Sequence, residues 1–259
     1  MPFADVNGQS IYFEDSGGPG APVIFSHGFL MDHDMFAPQV EALAGEFRCI
    51  TWDERGFGRT PANGPFDYYD SAADCLGLLS HLGLEQAVLA GMSQGGFLSL
   101  RAALQAPSRV KALVLIDTQA GQEDKEVLPA YDAMRDEWLT NGPANVQDGI
   151  AAIILGGGHD PTPWFEKWAQ LPREQFAHTY GCLVERDDLT SRLGEITCPA
   201  IIFHGDQDAA IGMAKAEALG AGLPHCEGIV AVQGAGHASN LSHPEQVNEP
   251  LREFLAKYA

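Results

Sequence analysis

The stretch Val110–Ile116 is apolar at every position except Lys111, and a strand accepts such a run only when both faces of its sheet are covered. Similar short apolar runs at Val23–Ser26, Cys49–Trp52, Ala87–Ala90, Ala200–His204 and Gly228–Val232 alternate with helical patterns. The helical patterns cover Phe36–Ala44, Ser71–Leu82, Gly95–Ala106, Ala214–Gly220 and Pro244 to about Lys257. That rhythm predicts an α/β fold, a mostly parallel sheet flanked by helices. Only the beginning differs. Pro2–Val6 and Gln9–Glu14 flank Asn7-Gly8, a dipeptide suited to the positive φ angles of a tight turn, so the chain should open with an antiparallel hairpin. Asp15–Pro22 is then a loop.

The rhythm stops between residues 121 and 195. Charged and aromatic helical patterns follow one another there, broken by Asn141-Gly142-Pro143, Gly156-Gly157-Gly158 and Pro161–Pro163. The expectation is a core domain formed by residues 1–120 and 196–259, with 121–195 inserted as a helical cap. Trp138, Trp164, Phe165, Trp168 and Phe176 concentrate aromatic area in the insert. They either line an apolar pocket or pack the helices together, and Trp138 and Trp164 are the substrate-binding candidates. The triple glycine lacks the lysine of a phosphate-binding loop and reads as a hinge.

A chain of 259 residues can bury a core without disulfides or metals. Its 15 basic against 35 acidic residues give a formal charge of −20, a field that repels phosphate backbones and anionic membrane surfaces. Neither nucleic acid nor membrane is expected as a partner, and a neutral or cationic small molecule is favoured over an anion. The five cysteines contain no C-x-x-C pair and read as buried thiols in a reducing compartment. No secretory leader or run of about 18 apolar residues is visible, so a cytoplasmic protein is expected. A homodimer is compatible with the sequence.

Chemistry is concentrated in Gly91-Met92-Ser93-Gln94-Gly95, a G-x-S-x-G placed between an apolar strand and a helix. A serine on so tight a turn is held strained with its hydroxyl projecting, and the following helix turns its free N–H groups toward any oxyanion formed there. Ser93 is therefore a candidate nucleophile, and it needs a histidine to accept its proton and a carboxylate to orient that histidine. His237, in Gly234-Ala235-Gly236-His237 directly after the last strand, lies on the sheet edge that carries sites in parallel folds. His225 and His243 read as a surface residue and a helix-start residue. Asp206 and Asp208 share the loop after Ala200–His204, with Asp208 at the deeper position, and Asp117 ends Val110–Ile116 as a second-rank candidate. His204, Asp206, Asp208 and His237 lack the spacing of known zinc strings, so no metal is expected.

Four segments in order resemble the α/β-hydrolase superfamily: Phe25-Ser26-His27-Gly28-Phe29, Asp53-Glu54-Arg55-Gly56-Phe57-Gly58, Gly91–Gly95, and Gly205–Asp208 with His237. The resemblance implies an eight-stranded sheet with a helical cap after the sixth strand. It also implies Ser93, Asp208 and His237 as the catalytic set, and an oxyanion hole formed by the backbone N–H groups of Phe29 and Gln94. Serine at the elbow departs from the haloalkane dehalogenases and soluble epoxide hydrolases, which carry aspartate there.

The activity expected is that of a cofactor-independent serine hydrolase, a carboxylesterase for small neutral esters working through an acyl-enzyme. Lactone hydrolysis, carbon–carbon bond hydrolysis and perhydrolysis share the same residues, and a ligand receptor on the same fold is the alternative from another class.

Overall fold

The computed structural model describes residues 2–156 and 159–259. Asn7 and Gly8 take φ values of 50° and 75°, the geometry that lets β1 (Phe3–Val6) fold back on β2 (Gln9–Asp15) with Phe3 opposite Tyr12 and Val6 opposite Gln9. Six further strands follow: β3 (Pro22–Ser26), β4 (Arg48–Trp52), β5 (Ala87–Met92), β6 (Val110–Ile116), β7 (Ala200–Gly205) and β8 (Cys226–Val232). They form one eight-stranded sheet in the order β1-β2-β4-β3-β5-β6-β7-β8. Every pairing from β4 to β8 is parallel, and β2 joins β4 antiparallel.

Strand alternation divides the core between the two faces. Val23, Phe25, Val88, Ala90, Val114 and Ile116 share one buried cluster with Leu43 of α1 (Ala37–Leu43) and with Leu251 and Phe254 of α10 (Pro244–Tyr258). Ile24, Leu89, Leu113, Leu115 and Ile202 join the other. Against that second face lie Leu78 of α2 (Tyr68–His81), Leu98 of α3 (Gln94–Gln105) and Leu219 of α8 (Met213–Gly222). A leucine such as Leu113, 0% exposed, contributes about 1.5–3 kcal/mol by leaving water. Helix α2 begins three residues before the Ser71 expected. Asp67 caps it by accepting the N–H groups of Tyr69 and Asp70, and Asp70 accepts the Asp67 N–H in return, a reciprocal cap that the apolar pattern does not signal.

Between β6 and β7 come four helices, α4 (Leu128–Asn141), α5 (Gln147–Ile154), α6 (Thr162–Gln170) and α7 (Arg173–Val184), and no strand among the described residues. Of the glycine hinge expected at 156–158, Gly157 and Gly158 lie outside the described residues. No helix is long and apolar enough to cross a membrane among those described.

The strand order also fixes where a site can form. The chain leaves β3 for β4 on one side and returns to β5 on the other, so the order reverses between β3 and β5. Loops leaving the carboxyl ends of two such strands diverge and open a crevice. Those loops carry His27-Gly28-Phe29 and Ser93.

Candidate active site

Ser93 has φ 50° and ψ −112°, a conformation that an L-residue adopts only when its surroundings hold it there. The holding is visible. The Ser93 N–H donates to the Ile116 carbonyl at 2.8 Å and its own carbonyl accepts the Thr118 hydroxyl at 2.8 Å. The Gly95 N–H reaches across to the His27 carbonyl at 3.1 Å. A Cβ on Gly91 would overlap the Gly95 carbonyl, and one on Gly95 the Ser26 carbonyl, so the turn needs glycine at both positions.

The Ser93 hydroxyl lies 3.0 Å from His237 Nε2, and His237 Nδ1 lies 2.8 Å from Asp208 Oδ2. The second Asp208 oxygen accepts the N–H groups of Ala210 and Ile211 at 2.8 and 2.9 Å, which fixes the carboxylate in its own loop. Burial alone would push His237 down, but Asp208 beside it, with Asp117 and Glu123 farther off, raises it above the ordinary histidine value. For Asp208, burial raises the pKa, and the His237 charge and hydrogen bond outweigh that and hold it low.

Asp117 stands behind this line and does not join it. Its two oxygens accept the Gly205 N–H at 2.8 Å and the Ser239 N–H at 2.9 Å, tying β6 to the loops that carry Asp208 and His237. Burial lifts it to about 7. Asp206 turns away to accept the Gly234 N–H at 2.8 Å. His225 is exposed, and His243 lies between the one-turn α9 (Ser239–Ser242) and α10 with its ring against the Ser242 hydroxyl.

Phe29 follows Gly28 in the loop after β3, and Gln94 opens α3. Among the described residues neither backbone N–H donates a hydrogen bond within the protein, so both are free for an oxygen of a bound molecule. The Gln94 side chain is clamped from behind: its Nε2 donates to Glu54 Oε2 at 2.9 Å and its Oε1 accepts from the Tyr68 hydroxyl at 3.4 Å.

A cavity of about 80 Å³ opens directly over Ser93 and His237. Phe29, Leu30 and Met92 form its core side, with Ala210 and Ile211 beside the Asp208 loop. The inserted helices contribute Tyr131 and Met134 from α4, Ile150, Ile153 and Ile154 from α5, and Leu183 from α7. Trp138 and Trp164 are not part of this wall, contrary to expectation. Trp138 is fully buried and stacked on Phe176 at 4.3 Å, and Trp164 is buried under the Lys167 ammonium at 4.5 Å. Their large rings fill the space between helices, and most of the wall falls to aliphatic residues that sequence periodicity alone did not single out.

Asp117, His204 and Asp208 place ligand-type atoms within 4.8 Å of one another, but protein hydrogen bonds occupy most of these atoms, His204 Nδ1 alone having no partner among the described residues. His204 Nε2 meets the Ile211 carbonyl at 2.7 Å, and both carboxylates accept the N–H groups named above. The cavity is thus lined by Ser93, His237 and Phe29, and the N–H of Gln94, the residue after Ser93, is also without a partner among the described residues.

The family model of the alpha/beta hydrolase fold matches residues 21–148. The chain is 27% identical to a putative carbamate hydrolase, RutD, of Azorhizobium caulinodans, with 99% of each chain covered. A thermophilic esterase from Thermogutta terrifontis superposes with a TM-score of 0.88 at 28% identity, covering 99% of this chain and 97% of the esterase. The enol-lactonase from Burkholderia xenovorans LB400 gives 0.89 over 98% of this chain and 100% of the other; at 24% identity that likeness speaks for the fold alone.

Proposed function

The chain belongs to the α/β-hydrolase superfamily, and from that premise we propose that it is a serine hydrolase acting on small esters through an acyl-enzyme on Ser93. The observation that carries the reading is the continuous line from Ser93 through His237 to Asp208, at 3.0 and 2.8 Å. Neutral His237 accepts the Ser93 proton at Nε2 as the hydroxyl oxygen attacks the ester carbonyl. Asp208 fixes the tautomer that leaves Nε2 bare and stabilises the imidazolium as it forms. The carbonyl oxygen, now negative, lies against the N–H groups of Phe29 and Gln94, donors already oriented by the turn and by the positive end of α3. His237 then returns its proton to the departing alcohol. A water molecule, deprotonated by the same imidazole, cleaves the acyl-enzyme and releases the acid.

In this reading residues 121–195 act as a cap, because α4, α5 and α7 supply much of the cavity wall over Ser93. Esters are preferred to other carboxylic derivatives on the strength of the esterase likeness; carbamate hydrolysis, suggested by the RutD likeness, would use the same groups. The test is stoichiometric labelling by a fluorophosphonate, mapped by peptide mass, beside turnover of short p-nitrophenyl esters by the wild type and by Ser93→Ala. Label on Ser93 and loss of turnover in the variant are expected. Undiminished turnover by Ser93→Ala would overturn the assignment.

A further inference from the structure

One charged side chain faces the otherwise apolar cavity over Ser93. Glu123, in the loop after β6, lines it, and its side chain is 9% exposed. The Glu123 charge is oriented by Arg186, whose Nη1 lies 2.9 Å from Glu123 Oε1. Arg186 is itself fixed from behind: Nε donates to the Gly121 carbonyl at 3.1 Å, Nη1 to the Leu183 carbonyl at 2.8 Å, and the guanidinium lies 4.2 Å over the Phe97 ring. Its side chain is 2% exposed and forms no part of the cavity wall. The pair therefore turns its negative end toward the cavity and keeps its positive end in the protein.

Tyr131 of α4 lines the same cavity. Among the described residues its hydroxyl makes no hydrogen bond within the protein, unlike Tyr180, which donates to Asp132 at 2.8 Å. Tyr131 packs with Leu183 and Ala210 in the cluster on one face of the sheet, whereas Met134, Ile150 and Ile154 belong to the cluster on the other. To a wall that is mostly aliphatic, Glu123 and Tyr131 thus add a carboxylate and a phenol hydroxyl. Burial and then the Glu123 charge push Tyr131 up to about 12, which keeps its hydroxyl protonated.

Paired with Arg186 at Oε1, the Glu123 carboxylate still has acceptor lone pairs for an N–H or O–H of a bound molecule, an interaction worth most where water is excluded, whereas a second carboxylate set against it would be repelled and stripped of water. Resting on the serine-hydrolase reading above, we infer that the site selects substrates whose cavity-filling end is uncharged or cationic and offers an N–H or O–H donor to Glu123 and Tyr131, and discriminates against ends that carry a carboxylate. Glu123 and Tyr131 are specificity-determining residues for the reaction that Ser93 performs.

Three methyl esters of nearly equal shape test this: methyl succinamate, ending in a primary amide; monomethyl succinate, ending in a carboxylate; and methyl 4-methylpentanoate, ending in an isopropyl group. Methanol is the common leaving group, so only the acyl end is long enough to fill the cavity. Turnover is followed by proton release. The wild type is expected to favour the amide over the carboxylate at least about tenfold in kcat/KM, and Glu123→Gln to collapse that ratio toward one. In Tyr131→Phe the amide should lose about three- to tenfold relative to the isopropyl ester. The wild-type ratios stand alone if a variant fails to fold. Equal turnover of amide and carboxylate by the wild type, or an amide-to-carboxylate ratio untouched by Glu123→Gln, overturns the inference while the Ser93 phosphonate adduct still supports the serine-hydrolase reading. Absence of that adduct, with no turnover of any ester, overturns both.

Discussion

The indole N–H of Trp168, on α6, donates to the carbonyl of Leu30 at 2.6 Å. Leu30 has φ 62°, and the turn it closes, with the Met31 N–H on the Gly28 carbonyl at 3.0 Å, carries the Phe29 N–H. Next to Trp168, Lys167 bridges Asp32 at 2.7 Å and Asp34 at 2.6 Å, on the same segment. The inserted helix thus grips the proposed oxyanion loop at a residue held in a left-handed conformation. Trp168→Phe keeps an aromatic ring at the position and deletes the donor together with the five-membered ring that carries it. We expect kcat for a short ester to fall about three- to tenfold with KM little changed, the signature of a donor that matters in the transition state. Steady-state kinetics of the variant check this, and an unaltered kcat would mean that the turn keeps its shape without α6.

His237 must be neutral to accept the Ser93 proton, and its pKa is raised because Asp208, Asp117 and Glu123 outweigh its burial. The base form is therefore present above the folded-state pKa and lost as pH falls through it. For an uncharged ester, kcat/KM should rise with pH through an inflection above the ordinary histidine value of about 6.5 and then level off. In Asp208→Asn the largest upward influence is gone, so the inflection should move down. A pH–rate profile with the same inflection in both proteins would place the titrating group elsewhere.

Asp208→Asn should also cost about 10⁴-fold in kcat, because the amide holds the imidazole in the wrong tautomer. Asp117 will not substitute, since both its oxygens are already taken by the Gly205 and Ser239 N–H groups. Its own role is to hold the two loops together. Asp117→Ala leaves two buried N–H groups without acceptors, and a loss of about 2–6 kcal/mol in stability is expected at about 1–3 kcal/mol for each. Urea unfolding measures it. A variant of wild-type stability would show that the loops are held by packing alone.

The sheet was legible because parallel strands covered on both faces are nearly continuous apolar runs, as Val110–Ile116 is. The Ser93 turn was legible because Gly91 and Gly95 leave no room for a Cβ. Features depending on contacts between distant segments were not. Asp117 reads in sequence as one more acid at a strand end, and only the placement of Gly205 and Ser239 against it reveals a tie. The cavity wall at Ile150, Ile154 and Leu183 follows from how α5 and α7 lie over the sheet, which helical periodicity does not encode. The tryptophans misled for a related reason: their large apolar area suits a pocket and a helix interface equally, and the stacking partner Phe176 that decides for Trp138 comes from another helix.

Glu54 is the residue whose cost of burial is most open to measurement. It is 1% exposed, its Oε2 accepts from Gln94 at 2.9 Å, and among the described residues its Oε1 has no partner. Burial, which the Gln94 hydrogen bond only partly offsets, raises its pKa well above the ordinary glutamate value. A group whose folded pKa is raised gives its full stabilisation below the unfolded value near 4.5 and loses it as pH climbs toward the folded one. Glu54→Gln keeps an acceptor for Gln94, carries no charge and escapes that loss. Its melting temperature should exceed that of the wild type by an amount that grows with pH, reaching several degrees at alkaline pH, where about 1 kcal/mol corresponds to roughly 2–4 °C for a chain of this size. Thermal melts of both proteins from pH 5 to pH 9 decide the matter: a difference that stays constant over that range would show that Glu54 is not the group whose ionisation the fold resists.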